Sequence, residues 1–474
     1  MIRRAMLGLA MIVLAGAPGA LGQSRPEARN MALVGSHDLQ ARGAYQPLPH
    51  RQGNRWILYV GHHGGSDAIP VPINPLTGKP EHNGTSLIDV TNPRTPKYLT
   101  HIPGEPGTYE AGGAQMVRVC NGDLLPKGDK AAVYMLRTFG NSAHEIWNTA
   151  DPAKPQLVTR IEGIKGTHKN FWECDTGVAY LVSGASGWRV PRMTQIYDLS
   201  DPAKPVKIRD FGLAGQQPGA EGPTPTQLHG AISTGPKGNR VYVGYGTNTG
   251  AVLQILDRSK LLDGPSELTP QALLQPQVGR LDMSPLTGAH TTFPVLEMPI
   301  AEFQKDKIGK VRNFVVVTNE QILNECLEPR QFVWFVDVTV ERFPASVATF
   351  NVPEAPGKFC ERGGRFGAHS SNENMTPVFY KRAMFFSWFN AGVRAVDIRD
   401  PFNPKEIGYY IPAVTARTDK RCVGTGADER CKVAIQTNNV EVDDRGYIYI
   451  VDRANTGMHI LELTGAARKV ANLP

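Results

Sequence analysis

Asp198-Leu199-Ser200-Asp201-Pro202-Ala203-Lys204-Pro205-Val206-Lys207-Ile208 reads as the end of one strand, a tight turn and the start of the next. Each Asp can bond its side chain to the backbone ahead of it, and the following Pro presets φ for the turn. The second Pro keeps the return strand extended. The pattern recurs at Asp89-Val90-Thr91-Asn92-Pro93-Arg94-Thr95-Pro96, at Asn148-Thr149-Ala150-Asp151-Pro152-Ala153-Lys154-Pro155 and at Asp397-Ile398-Arg399-Asp400-Pro401-Phe402-Asn403-Pro404, with a weaker copy at Asp337-Val338-Thr339. Self-similarity of this kind signals a repeat architecture.

Working outward from the turn, each copy sits among short apolar runs cut by Gly and Asn. In 229–257 the runs 229–233, 241–245 and 251–256 are separated by Gly-rich turns, which is the hairpin signature. Four antiparallel strands per repeat of roughly 50–60 residues make a propeller blade. The chain then divides into seven. Blade one has strands at 37–41, 56–60, 85–90 and 97–102; blade two spans 115–161 and blade three 168–211. Blade four starts at 229, with an outer strand near 271–277; blade five spans 290–352 and blade six 369–411. Blade seven has 440–442, 447–451 and 458–463 and lacks a fourth strand, while 31–35 is left unused near the start. The reading is therefore an all-β, seven-bladed β-propeller closed by an N-terminal strand, an arrangement that removes exposed sheet edges.

Composition agrees. The 474 residues carry 49 Gly and 37 Pro, with 41% hydrophobic and 20% charged residues. Residues 1–22 read as a Sec-type signal peptide: Arg3-Arg4, an apolar stretch too short to span a bilayer comfortably, and the small-x-small site Ala20-Leu21-Gly22. That leaves 23–474 as one propeller domain, periplasmic or secreted, with no stable membrane span after cleavage. Six cysteines in an exported chain suggest disulfides, of which six residues allow 15 pairings. Cys422 and Cys431 flank one loop, Cys326 and Cys360 bracket a segment, and Cys120 and Cys174 fall at similar positions in adjacent repeats. The net charge of +7 is scattered, without the dense basic stripe that nucleic acid requires.

Aligning the blades on their first strands places His37, Gln115, His168, His229, His290 and His369 at equivalent positions, with Asn438 or Asn439 in blade seven. First strands line the channel of a propeller, so these residues form one ring. Five of the chain's 12 histidines fall on it. Neutral imidazoles are ligands for Cu, Zn, Fe or Ni, which makes His37, His168, His229, His290 and His369 candidate ligands of a divalent transition metal; calcium at the mouth is a further option. The competing reading is that a recurrent His ties a loop to its own blade. Glu173 and Glu373 are candidate catalytic carboxylates, able to orient an imidazole or act as a general base. Gln115, His63, Arg137, Asn372 and Arg453 are candidate substrate contacts at the same mouth, the arginines suiting an anion.

The repeats resemble the LVIVD-repeat propellers of exported bacterial and archaeal proteins. The resemblance is carried by Ser86-Leu87-Ile88-Asp89-Val90, Thr194-Gln195-Ile196-Tyr197-Asp198-Leu199, Val393-Arg394-Ala395-Val396-Asp397-Ile398 and Met458-His459-Ile460-Leu461-Glu462-Leu463. It implies the fold and no shared activity. The architecture is more loosely similar to selenium-binding and methanethiol oxidase propellers, which use propeller histidines for metal. The expected function is a metal-binding propeller, as a metal-dependent oxidoreductase or hydrolase acting on a small molecule at the channel mouth. The alternative is a non-catalytic propeller that binds proteins or glycans through its loops.

Overall fold

The computed structural model describes residues 23–66, 69–300 and 309–473; the signal-peptide reading of 1–22 lies outside them. Seven four-stranded antiparallel blades stand around one axis. The blade around the opening turn is representative. Asn170–Trp172 is innermost, followed outward by Val178–Ser183, Met193–Asp198 and Val206–Phe211.

The repeated turn forms as its chemistry requires. Asp198 Oδ1 accepts from Ser200 N at 2.8 Å and Asp201 Oδ1 from Ala203 N at 3.0 Å. The same side-chain-to-backbone bonds recur at Asp89, Asn92, Asn148, Asp151, Asp337, Asp397 and Asp400. Just past each turn the pairing of the two outer strands slips by one residue, as between Ile196 and Tyr197. A bulge increases local twist, and repeating it lets each blade lean onto the next. Between neighbouring blades lie seven apolar clusters among the described residues. The largest joins blades five and six through Phe293, Phe314, Phe350, Phe386 and Trp388.

The ring closes as expected. Met31–His37 pairs antiparallel with Met458–Leu463 and completes blade seven. Glu27–Arg29 adds a further strand to Lys405–Ile411 of blade six. Disulfides join Cys120 to Cys174, Cys326 to Cys360 and Cys422 to Cys431. No described helix is long and apolar enough to cross a membrane.

Two sequence expectations are corrected. The outer strand of blade four is Gln277–Asp282, and 270–274 is a short helix begun by Pro270 and capped by Thr269. The inner strand of blade one is Ala44–Gln52 and not 37–41. Pro47 and Pro49 argue against a strand in a sequence reading. An innermost strand is paired on one side only, however, and such an edge tolerates proline.

Deleting residues 23–37 should leave Met458–Leu463 as an open, unpaired edge. Size-exclusion chromatography of the truncated chain is expected to show soluble oligomers or aggregate in place of the full-length elution position. An unchanged monomer would show that the closing strand is dispensable.

Candidate metal centre

Four of the inner strands, those of blades one, two, five and six, enter the channel through a Gly-Ala pair that lets the backbones crowd together. A Cβ on Gly288 would sit 1.4 Å from Thr247 O, and one on Gly113 2.4 Å from His62 O. Ala44, Ala114, Ala289 and Ala368 follow, all fully buried. The next residue points at the axis, giving the ring Tyr45, Gln115, His168, His229, His290, His369 and Asn438.

Four imidazoles converge there. Ring centroids are 5.0 Å apart for His168 and His229, 4.2 Å for His229 and His290, and 4.3 Å for His290 and His369. Ligand atoms of His168, His229 and His290 lie within 4.8 Å of one another, as do those of His290, His369 and Glu320. The second nitrogen of each ring is held from behind. His229 Nδ1–H donates to Gly246 O at 3.2 Å, and His369 Nδ1–H to Asn438 O at 2.6 Å. A carbonyl only accepts, so both rings present a lone pair on Nε2. His290 Nδ1 meets Thr291 Oγ1 at 2.8 Å and its Nε2 meets the Tyr45 hydroxyl at 3.1 Å. His168 Nδ1 meets the Gln115 amide nitrogen at 2.8 Å, while Gln115 Oε1 has no partner. Turning that amide over gives His168 the same back-bonded tautomer. His168 Nε2 lies 3.1 Å from His229 Nε2.

Burial keeps the rings neutral. Loss of solvent pulls His229 down to about 3, helped by Lys169 and Arg192, and drives His168, His290 and His369 well below the ordinary histidine range. Neutral imidazole is the form that ligates metal. Tyr45 is pushed far up by burial and by Glu320, so it stays a phenol.

Above the ring sits Glu320, from the loop after Val311–Thr318. Its carboxylate is 3.5 Å from both His229 Nε2 and His369 Nε2, 3.2 Å from Arg365 Nη1 and 3.9 Å from Arg453 Nη1. Burial raises its pKa against those arginines. Below the ring lies a second charged layer. Glu373 pairs with Arg118 and, at 3.1 Å, with Lys169 Nζ. Lys169 also reaches His290 O at 3.5 Å. Glu441 accepts from the main chain of Glu373 and Asn374 and from Gln46, and burial together with the Glu373 charge raises it to about 8.

The structure thus brings together His168, His229, His290, His369 and Gln115, with Glu373 beneath and His63 and Arg453 at the mouth. Other candidates are placed elsewhere. His37 is on the outermost strand of blade seven, accepting from Leu39 N and stacked on Tyr98; its place in the ring belongs to Tyr45. Glu173 closes an ion pair between blades three and four, gripping Arg258 Nη2 at 2.6 Å with Tyr180 and Ser233 donating to it. Five residues of extended strand put it about 16 Å from His168. Arg137 is fully buried on Glu145, Thr85 Oγ1 and two carbonyls, and Asn372 caps Phe385 N. Tyr45, Glu320 and Glu441 were not expected from sequence. Gly43-Ala44-Tyr45 matches the Gly-Ala-His290 and Gly-Ala-His369 pattern and carries the signal for the first of them.

Two variants test these placements. Glu173→Ala strands a buried guanidinium and should lower unfolding free energy by about 3–5 kcal/mol in denaturant titration, with no change in metal content. Glu441 has a folded pKa above its unfolded value. Its contribution is fully present below about pH 4.5 and lost as pH rises toward about 8, near 1.4 kcal/mol per unit. Wild type should therefore lose more stability than Glu441→Gln between pH 5 and pH 8; parallel curves would contradict this.

No family model matches the chain, and no curated protein matches it. The LVIVD resemblance accordingly rests on the quoted residues. Among solved structures, the chain is similar to Sqt1 of Chaetomium thermophilum, crystallised bound to the N-terminus of the ribosomal protein L10. The two share 10% identity at a TM-score of 0.52, over 91% of this chain and 99% of that one. A chain of the mitotic checkpoint complex aligns at 9% identity and TM-score 0.48, over 98% and 99%. The Sqt1 likeness shows the propeller fold.

Proposed function

We propose that this chain is an exported propeller whose imidazole ring binds a divalent transition metal, Cu, Zn or Fe, and uses it on a small molecule entering past Arg365 and Arg453, as an oxidoreductase or hydrolase. The observation that carries the reading is the back-bonding of the ring. With Nδ1 of His229 and His369 committed to carbonyls, their Nε2 lone pairs face the buried channel, His229 grouped with His168 and His290, and His369 grouped with His290 and Glu320. Imidazoles oriented by a hydrogen bond on the other nitrogen are the usual form of a metal-binding histidine. A purely structural histidine would use both nitrogens within its own blade; here one of them faces the rings of neighbouring blades. Glu320 supplies a carboxylate at the rim of the same cluster, and Tyr45 a neutral hydroxyl donor beside His290. The three disulfides agree with export.

A second reading, a propeller that binds a protein without chemistry, is favoured by Val71, Ile73 and Leu76, apolar side chains exposed on one loop beside the mouth. Metal analysis separates the two. Protein purified from its native compartment should carry about one metal ion per chain by mass spectrometry, and His290→Ala and His369→Ala should each lose most of it. A trace metal content that both variants leave unchanged would remove the metal reading.

A further inference from the structure

The upper mouth holds a cavity of about 590 Å³ lined in part by His63, Arg365 and Arg453, the two arginines being those that pair with Glu320 above the ring. Its floor and walls differ in character. The floor is cationic: Arg365 and Arg453 lie side by side, their guanidinium carbons 5.2 and 5.9 Å from the same Phe389 ring. They share one carboxylate, Glu320, which also serves two histidines. Arg453 Nη2 donates to His63 Nε2 at 3.0 Å, which leaves the His63 proton on Nδ1. That Nδ1 and Arg453 Nη1 have no hydrogen-bond acceptor in the structure, although His63 is only 4% exposed. Buried donors without acceptors are unfavourable, and burial, with like-charge repulsion from the adjacent Arg453, pulls Arg365 down to about 10. The wall is apolar where Ile69, Pro70, Val71 and Ile322 line it.

We propose that this chamber binds a small organic monocarboxylate with an apolar body, its carboxylate held by Arg365 and Arg453 and its body against the Ile69–Val71 and Ile322 wall. This names the substrate class of the site proposed above; it rests on that reading for the chemistry, but binding itself does not. The charge pattern selects the class. One carboxylate divided among two arginines leaves donor capacity for a second, and planar forks accept a carboxylate in two-point geometry. A neutral ligand would leave the same donors unmet. A polyanion would bring charge against Ile322 and the proline-rich wall. The volume is within the range of ordinary small-molecule sites.

The test uses trans-cinnamate and octanoate, with cinnamamide as the uncharged twin of cinnamate, titrated calorimetrically into the full mature chain whose metal content is measured in the same sample. Cinnamate is expected to bind at least about tenfold more tightly than cinnamamide and to weaken as salt is raised. Arg453→Gln should abolish the preference for the acid, and Arg453→Lys should retain part of it, both at wild-type circular-dichroism melting. Equal affinity for acid and amide, or binding of neither cinnamate nor octanoate, overturns the proposal; so does an acid preference that survives in Arg453→Gln. A metal-loaded protein indifferent to the carboxylate would sink the chamber alone. A metal-free protein that binds cinnamate through Arg453 would sink the metal reading and leave the chamber standing.

Discussion

Everything at the axis depends on one constraint: the inner strand of each blade has no partner on its channel side. A strand with one free edge, placed seven times around an axis, aims one side chain per blade at the same point. The Gly-Ala pairs ahead of Tyr45, Gln115, His290 and His369 enforce the depth in four of the blades. Gly288, packed so tightly that a Cβ would collide with Thr247 O, fixes His290 against blade four, and Gly113 does the same for Gln115 against blade one. The ring is thus a product of backbone crowding. The chemistry of the side chains is then free to vary, and it does, from Tyr45 through Gln115 to four histidines and Asn438.

Periodicity made the scaffold legible. The Asp-Pro turn is a local motif whose hydrogen bonds form within three residues, so its copies in the sequence mark blade phase directly, and from that phase four of the five histidines fall in the ring. The misplaced inner strand of blade one and its His37 share a cause, which is that local pattern does not say which side of a sheet edge a segment joins. Gly35-Ser36-His37 looks like a ring entry, yet the outer edge of blade seven claims it. The true entry, Gly43-Ala44-Tyr45, is followed by prolines that belong on an edge strand and read as a break. Glu173 failed for a different reason. Five residues beyond His168 it suits an outer partner of a ring imidazole, but it stands past the far end of the inner strand, where Arg258 of the next blade collects it. Glu320 carried no repeat signal at all, because it comes from a loop that only blade five possesses in that form.

Electrostatics gives the site its direction. Arg365, Arg453, Arg192, Lys169 and Arg118 surround the ring, against Glu320, Glu110 and Glu373. Glu441, raised to about 8 by burial and the Glu373 charge, is mostly protonated at neutral pH. Five cations against three carboxylates leave two positive charges around four neutral imidazoles. A divalent ion placed among them would raise the excess to four in a region of low dielectric, where such charge is unfavourable. In the lower layer Glu373 is already committed to Lys169 and Arg118, which leaves ionisation of Glu441 as a source of negative charge there. Relief would come from ionisation of Glu441 or from a negative charge arriving at the mouth. On the proposed reading, metal affinity and anion affinity would be coupled through the same arginines, each ligand binding more tightly when the other is present, by the reciprocity that any linkage between two sites obeys.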